Sequence, residues 1–352
     1  MVIFLVKKYC TWCTLGTVIL SIFCYTQCSK TSSVTEYGVF APSRLQSVKG
    51  QDGCTPVDFD ERYTLWTFGD TIIDEGMISN SLAFTQKINA ANVTQLQFEY
   101  YREHGKIAQF IKNTSDENPS KDRLWAFDGI RIGNTVYVYY AHVYIHDPAK
   151  PLSFTMKESS IAYWDVPAQW EIGKPIRFTR KKNMFLGNVP ALGASMLLHN
   201  DFVYVVGHIS EENRSSLIIG RVHKNHILKQ HQYEFLQGDS NWDNKLNSAK
   251  RLYGDVAGEC SLIYDGITRS YSIVYCQLFT GNIVMCKAPT IEALPQAKKE
   301  IVYTPPELHG TNMLYYSAKT ILQEGKQWYI VYMNPLEYQP YCIKVDVGTR
   351  CW

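Results

Sequence analysis

The sequence predicts an all-β fold, a five-bladed β-propeller, from two observations. Short runs rich in β-branched and aromatic residues alternate with Gly, Asn, Asp and Pro turns, and sustained helical periodicity is almost absent. The second observation is repetition, because five times a polar residue flanked by glycine or alanine leads into a strand, a turn and an aromatic-rich strand. Such units fit a propeller of the four-to-eight-blade kind, whereas a pair of β-sandwiches, the alternative, would not require the repetition.

The five repeats lie at spacings of roughly 60 to 75 residues, which leaves room for insertions. They are Asp52–Thr71, Trp125–Ala141, Leu192–His208, Ala257–Cys276 and Tyr316–Asn334. The predicted strands include 64–68, 135–144, 202–207, 215–222, 270–277, 283–287 and 327–333. One stretch, 92–110, is permissive for a helix, and the polar segment 113–122 is predicted to be a surface loop.

Composition excludes several classes of protein. The chain has 352 residues, of which 45% are hydrophobic and 13% aromatic, so it can bury a large core. Its formal net charge is +2 without a long basic run, which argues against nucleic acid or an anionic membrane surface as a partner. No Cys or His group has zinc spacing, and neither a metal nor another cofactor is predicted. We expect a monomer.

The first 30 residues are predicted to be a signal peptide or an N-terminal anchor, and residues 31–352 a single propeller domain. Lys7 and Lys8 precede an apolar run from about Leu15 to Tyr25, the pattern of an export signal. We therefore expect an exported protein that is secreted, periplasmic or attached to the cell surface. Membrane attachment is expected through this segment only, since no later segment approaches the roughly 20 apolar residues of a membrane span.

Six cysteines follow the leader, an even number that suits an oxidising compartment. Cys276 and Cys286 are equidistant from Gly281, so a simple hairpin would place them opposite one another. A cross-strand disulfide and two buried thiols are both consistent with this spacing.

The repeats also predict a ring of polar residues around the central channel. In a propeller the innermost strand of every blade lines the axis, so a polar residue at its start would face one mouth. The ring would consist of Asp52, Asp128, Ser195, Glu259 and Lys319. Three acids, a hydroxyl and a cation would then converge on one pocket.

Asp52 and Asp70 are the candidate catalytic pair. Their index sum of 122 centres a hairpin on the polar turn at residues 60–62, which would place them opposite one another with Cβ atoms roughly 4.5 to 5.5 Å apart. Like charges so placed are unfavourable, and one carboxyl should then have a raised pKa. Such a pair suits acid and base chemistry on a glycosidic bond. The alternative is that each aspartate caps a turn beside its glycine.

Several of these segments resemble a known family. Asp52-Gly53, Thr64–Thr71, Trp125–Gly129 with Val136–Tyr139, Leu192–Ser195 with Val203–Gly207, and Tyr316–Lys319 are similar to the five-bladed propeller family, formerly of unknown function, that includes bacterial endo-D-arabinanases. The resemblance implies hydrolysis of D-arabinofuranose polymers, with the acid and base on Asp52 and Asp70. It also implies that Asp128 and Glu259 orient the substrate or stabilise the transition state.

Other side chains are candidates for substrate contact. Trp164, Trp170 and Trp242 lie in loop-like stretches where an exposed ring could stack on a sugar, while Trp66 and Trp125 fall within strand patterns and are expected to pack between blades. His309 precedes the fifth repeat and is either a ligand at the pocket rim or a surface histidine. Inversion is favoured over retention because further acids could position a water. A non-catalytic propeller that binds glycans or a protein is the second functional hypothesis.

Overall fold

Five antiparallel sheets hold nearly all the strands of this computed structural model, which describes residues 33–148, 150, 153–187, 190–211, 214–309 and 314–347. Together they form the five-bladed β-propeller that the sequence predicts. The leader and Cys351 lie outside the described residues. Each sheet is one blade, and within it consecutive strands lie side by side from the channel outward.

The strands follow the chain from one blade to the next. Strand β1 is Ser33–Val39, and blade 1 consists of β2 (Gly50–Asp58), β3 (Tyr63–Ile73), β4 (Gly76–Ile78), β5 (Ser81–Gln86) and β6 (Glu99–Tyr100). A small ribbon of β7 (Arg102–Glu103) and β8 (Lys106–Ile107) precedes blade 2, which consists of β9 (Asp122–Ile132), β10 (Thr135–Ile145), β11 (Phe154–Asp165) and β12 (Thr179–Leu186). Blade 3 consists of β13 (Ala191–His199), β14 (Phe202–Glu211), β15 (Arg214–His223), β16 (Glu234–Leu236) and β17 (Trp242–Asp243).

Blade 4 consists of β18 (Val256–Asp265), β19 (Ser270–Gln277), β20 (Ile283–Ala288) and β21 (Lys299–Tyr303). Blade 5 contains β22 (Tyr316–Glu324), β23 (Gln327–Asn334) and β24 (Gln339–Asp346). Short 3-10 helices at Pro42–Gln46, Lys224–His226, Gln230–Gln232, Gly238–Ser240, Leu246–Ser248 and Ile291–Gln296 join the strands. No helix within the described ranges is long and apolar enough to cross a membrane.

The five hydrophobic cores lie between the blades. Successive residues of a strand point to opposite faces of its sheet, so each blade buries one set of side chains against each neighbour. In β10, Tyr139 and Ala141 belong to the core shared with blade 3, whereas Val138 and Tyr140 belong to the core shared with blade 1. Because both faces are buried, these strands read as continuous apolar runs without alternation.

The ring is closed by pairing residues from the two ends of the described chain. Strand β1 forms the outer edge of blade 5, where Val34 pairs with Val345 and Thr35 with Lys344. Blade 5 also packs against blade 1, with Tyr329 and Val331 in the same core as Trp66. The mouth of the channel therefore belongs to a closed toroid.

Every predicted strand is present, but the segments between blades 1 and 2 differ from the prediction. Residues 92–110 contain turns and the β7–β8 ribbon instead of a helix. The segment 113–122 is not merely a surface loop, because its acids Glu117 and Asp122 are buried. Glu117 accepts a hydrogen bond from Arg180 at 2.6 Å, and Asp122 contacts His142 at 2.8 Å. Buried charges need such partners, which ties this segment to blade 2.

The two strands that carry Cys276 and Cys286 do not pair about Gly281, as a simple hairpin would. Cys276 pairs with Ile283, and Cys286 pairs with Ile273, so the two sulfur atoms are not opposite one another. Both are buried free thiols. Of the two interpretations of their spacing, the thiols are confirmed and the disulfide is wrong.

Gly193 provides a test of the packing between blades 2 and 3. Its φ is +89°, and an added Cβ would lie 2.1 Å from Cβ of Tyr139, which cannot swing away. We expect Gly193→Ala to lower the free energy of unfolding by about 3 kcal/mol or more, combining overpacking with a left-handed backbone. The matched control is Gly133→Ala, at φ +59° with open space around it, which should lose about 1 kcal/mol. Equal losses in urea unfolding would contradict this packing.

Candidate active site

All five inner strands run in the same direction and start at the same mouth of the channel. Within each blade the strands that follow alternate in direction from the channel outward. The inner strands are β2, β9, β13, β18 and β22. Residues near their starts face the mouth, which we call the entry mouth, and residues near their ends face the opposite one.

Asp52 and Asp70 lie next to each other at the entry mouth. The pairing of β2 with β3 keeps the predicted index sum on both sides of them, with Gln51 opposite Thr71 and Thr55 opposite Thr67. Between these pairs the register shifts locally at Gly53. The two aspartates thus occupy facing positions at a bulge, the kind of irregularity that re-aims side chains at functional sites.

Contacts from the backbone and from blade 5 hold the Asp52 carboxylate. The Tyr338 hydroxyl donates a hydrogen bond to Oδ2 of Asp52 at 2.8 Å, and the backbone N–H of Asp70 donates another. Oδ1 of Asp52 lies over Gly69, where an added Cβ would approach it to 2.3 Å. Only glycine at position 69 therefore leaves room for this carboxylate.

Both carboxyls of the pair have pKa values above the ordinary value of aspartate. The pKa of Asp52 lies well above its ordinary value, because burial disfavours the ion and the charges of Asp70 and Glu259 oppose it. Burial also raises the pKa of Asp70 to about 6, although the positive charge of Arg123 acts in the opposite direction. The two carboxyls therefore lose their protons at a higher pH than ordinary aspartates do, and Asp52 keeps its proton to the higher pH of the two.

The indole of Trp125 faces Asp70 from blade 2. The indole N–H is close enough to Asp70 to lower its pKa, although within the described residues neither the indole N–H nor Oδ1 of Asp70 makes a hydrogen bond of full geometry. An unpartnered carboxylate oxygen beside a protonated neighbour is free to bind a water or a substrate hydroxyl. Catalytic groups often show such open geometry before a substrate binds.

Glu259 joins the pair from blade 4, as the sequence predicts for its position. It is half-buried and its charge acts on Asp52, Tyr316 and His208. Burial lowers the pKa of His208, and the Glu259 carboxylate opposes that shift. The entry mouth thus combines three carboxylates with two tyrosine hydroxyls and an imidazole.

Asp128, Ser195 and Lys319 do not share the entry mouth, which corrects the predicted ring. They lie deeper in the channel, each at most 9% exposed. Oδ2 of Asp128 accepts hydrogen bonds from the backbone N–H of Met196 at 2.8 Å and from the Ser195 hydroxyl at 3.3 Å. The Lys319 ammonium donates to the carbonyl of Ala194 at 2.9 Å. These contacts tie the inner strands of blades 2, 3 and 5 together.

The reason for the difference is the register between neighbouring inner strands. The backbone N–H of Leu262, three residues beyond Glu259, donates to the Ser195 hydroxyl, and that of Thr320 donates to Ser261, two residues beyond Glu259. Each residue along a strand adds about 3.3 Å of depth, so the five polar residues do not lie at one level. Asp128, Ser195 and Lys319 instead line a cavity of about 420 Å³ at the opposite mouth, together with Arg131 and Thr320. The substrate-contact role expected of them is therefore separated from the acidic pair.

His309 is a surface histidine, one of the two alternatives for it, whereas the loop tryptophans lie in places that the sequence did not indicate. The side chain of His309 is 83% exposed and its nearest charged partner is Glu307 at 3.6 Å. Trp164 is buried within β11, and Trp170 packs against it with ring centroids 5.0 Å apart. Trp242 donates its N–H to Glu292 at 2.9 Å. The expected sugar platforms are thus occupied by internal packing.

Sequence reasoning missed Tyr338, Tyr316 and Arg123. Tyr338 is 286 residues from Asp52, and no local pattern could connect them. Tyr316 starts the fifth repeat, so the same argument that selected Glu259 could have selected it. Across the described ranges, no group of three or more His, Cys, Asp or Glu side chains is arranged to hold a metal ion.

The acidic pair should make stability depend on pH in a defined direction. The folded chain holds the Asp70 proton more tightly than the unfolded chain, with a pKa of about 6 against 3.8. As pH rises from about 4 to 7, the unfolded chain loses that proton first, so the free energy of unfolding falls. We expect this fall to be about 1–2 kcal/mol smaller in Asp70→Asn, allowing for partial solvent screening.

Urea unfolding of both proteins at pH 4 and pH 7 measures the difference. Asp74→Asn is the control, since the Asp74 side chain is 87% exposed and pairs only with Lys49 at the surface. Parallel pH dependence in the unaltered protein and Asp70→Asn would contradict the raised pKa.

Comparison with solved structures gives the same architecture at low sequence identity. A proposed hydrolase from Bacteroides ovatus ATCC 8483 is 13% identical with a TM-score of 0.62, over 85% of this chain and 86% of that one. The GH43_1 enzyme from Xanthomonas citri in complex with xylotriose is 11% identical with a TM-score of 0.51, over 88% and 89%. Zg3597 from Zobellia galactanivorans, a family 117 glycoside hydrolase, is 10% identical with a TM-score of 0.51, over 91% and 95%. At these identities the likeness shows the fold alone.

Comparison with curated protein sequences gives no match. A family model does match, and it covers residues 42–343, which include the inner strands of all five blades and both aspartates at the entry mouth. The chain therefore belongs to the family described as Domain of unknown function (DUF4185).

Proposed function

We propose that this protein is a glycoside hydrolase whose catalytic groups are Asp52 and Asp70. The observation that carries the proposal is the facing carboxylate pair, in which one pKa is about 6 and the other lies well above the ordinary value. Pairs of carboxyls with separated pKa values are the requirement for acid and base steps on a glycosidic bond. Propellers of similar fold include a GH43_1 enzyme in complex with xylotriose and a family 117 glycoside hydrolase, which supports the same class.

The two carboxyls have different roles in this proposal. Asp52 keeps its proton near neutral pH and donates it to the leaving glycosidic oxygen. Asp70 is ionised above about pH 6, and its unpartnered Oδ1 acts on the anomeric carbon or on a water. Tyr338 orients Asp52 through its hydrogen bond of 2.8 Å. Glu259 raises the pKa of Asp52 and so keeps the acid protonated.

Facing strand positions favour retention of the anomeric configuration over the inversion suggested by the sequence argument. Cross-strand neighbours have Cβ atoms roughly 4.5 to 5.5 Å apart, close to the carboxyl separation of about 5 Å in retaining enzymes. The backbone N–H of Asp70 also bonds to the Asp52 carboxylate, which keeps the two groups close. Asp70 is then the nucleophile, and Asp52 serves first as acid and then as base.

The substrate class proposed is a D-arabinan of the mycobacterial cell-wall kind. This rests on the sequence resemblance to propellers that include bacterial endo-D-arabinanases, whose catalytic acids fall on Asp52 and Asp70. A cell-wall polymer is met outside the cytoplasm, consistent with the leader predicted at residues 1–30. An exported monomer that acts on a surface polysaccharide unites these expectations.

Replacing either acid should remove activity without unfolding the protein. We expect Asp52→Asn and Asp70→Asn each to lower the rate of oligosaccharide release from D-arabinan at least about 100-fold, since each removes an acid or base step. Melting temperatures should be unchanged or higher, because Asp52→Asn replaces a carboxyl that is already protonated and Asp70→Asn removes a buried charge. The control Asp74→Asn should keep full activity.

Product analysis against a panel of cell-wall polysaccharides gives the readout. Activity of the unaltered protein should fall below about pH 6, where Asp70 becomes protonated. An unaltered protein that binds a polysaccharide but releases no product would refute hydrolysis and favour the non-catalytic binding hypothesis.

A further inference from the structure

One aromatic side chain at the entry mouth is exposed. Phe279 is 74% exposed at the tip of the turn between β19 and β20 of blade 4. Its φ is +71°, a backbone conformation that a bulky non-glycine residue rarely adopts. An exposed aromatic ring and an unfavourable backbone both cost stability, and such features recur where a ligand binds.

The turn that carries Phe279 is rigid. The backbone N–H of Gly281 donates to the Gln277 carbonyl at 2.9 Å, and the Thr280 hydroxyl donates to the Gln277 side chain at 2.9 Å. The Gln277 amide in turn donates to Asp255 at 2.7 Å. The ring of Phe279 is therefore presented on a fixed support, which reduces the entropy lost on binding.

The turn is connected to the acidic pair through its neighbours. Gly281 packs under the ring of Tyr315, so close that an added Cβ would lie 3.1 Å from it. The next residue, Tyr316, is electrostatically coupled to Asp52, Glu259 and Asp70. Glu259 is three residues along β18 from Val256, and Val256 pairs with Gln277 of β19. Phe279 is two residues beyond Gln277. These steps place Phe279 roughly 15 Å from Glu259.

A second exposed apolar side chain lies in a turn at the entry mouth. Leu336 is 54% exposed in the equivalent turn of blade 5. It is two residues from Tyr338, whose hydroxyl bonds to Asp52. Phe279 and Leu336 thus place two exposed apolar side chains on neighbouring blades, on the same side of the propeller as the acidic pair.

We propose that Phe279 is a specificity-determining residue, a stacking platform for a sugar of a polymeric glycan several residues away from the bond that is cleaved. The proposal rests on the proposed function. The flat apolar faces of sugar rings stack on aromatic rings, and the distance to the acids is farther than a single sugar ring reaches. Phe279 therefore distinguishes long chains from short ones and does not take part in the chemical step.

The test compares Phe279→Ala with a matched control on D-arabinan and on the shortest D-arabino-oligosaccharide that the unaltered protein cleaves. The control is Ile267→Ala, because Ile267 is 77% exposed in the turn at the opposite end of blade 4. That turn is also held by an aspartate, through the N–H of Ile267 and Asp265 at 2.9 Å. Phe279→Trp and Phe279→Leu separate a flat aromatic face from apolar surface alone.

We expect Phe279→Ala to raise KM for the polymer about 10-fold with kcat nearly unchanged, and to leave kcat/KM for the shortest substrate within about two-fold. Phe279→Trp should retain the affinity for polymer, Phe279→Leu should lose it, and Ile267→Ala should match the unaltered protein. Equal kinetics of Phe279→Ala and Ile267→Ala on the polymer would overturn the platform while leaving the hydrolytic proposal intact.

Retardation of the native protein in gels that contain each polysaccharide distinguishes the two proposals. A protein that is retarded through Phe279 yet releases no product refutes hydrolysis and supports the platform. Retardation that is the same in Phe279→Ala, or an unaltered protein that no polymer retards, refutes the platform.

Discussion

Repulsion between two carboxylates on neighbouring strands is the constraint on which the entry mouth depends. A hairpin alone would relieve it by turning one side chain toward bulk water. Here a bulge directs both side chains inward, Gly69 leaves space for Asp52, and Tyr338 holds it from the last blade. Since Tyr338 belongs to a blade that is completed by pairing with β1, the geometry of the pair depends on closure of the ring.

The channel is divided into two polar levels with different physical states. At the entry mouth the acids are half-buried, and one oxygen of Asp70 has no hydrogen-bond partner within the part of the chain that the structure describes. Deeper in the channel, Asp128 is buried but accepts three hydrogen bonds and lies near the Lys319 ammonium. These contacts satisfy the Asp128 carboxylate and add rigidity to the inner strands that they join. In our proposal the upper level is the reactive one, and the lower level supports it.

Much of the fold and the central part of the site follow from local sequence patterns. The positions of Asp52 and Asp70 were predictable because they belong to one hairpin, where a constant index sum fixes which residues face each other. The depth of Asp128 was not, since it depends on where its strand enters the ring. Trp164 is predicted to lie in a loop-like stretch, yet it is buried in β11, where it packs between blades. Tyr338 depends on contacts across the whole chain, which no window of sequence contains.

The central claim is that the two facing carboxyls share one proton near neutral pH. A ¹³C NMR titration of the aspartate side-chain carboxyl carbons, with Asp52→Asn and Asp70→Asn used for assignment, measures it directly. The account predicts that one carboxyl of the pair titrates near pH 6 and the other at a higher pH, and that Asp52→Asn changes the titration of Asp70. Independent titration of both groups near pH 4, the ordinary range of aspartate, would contradict it.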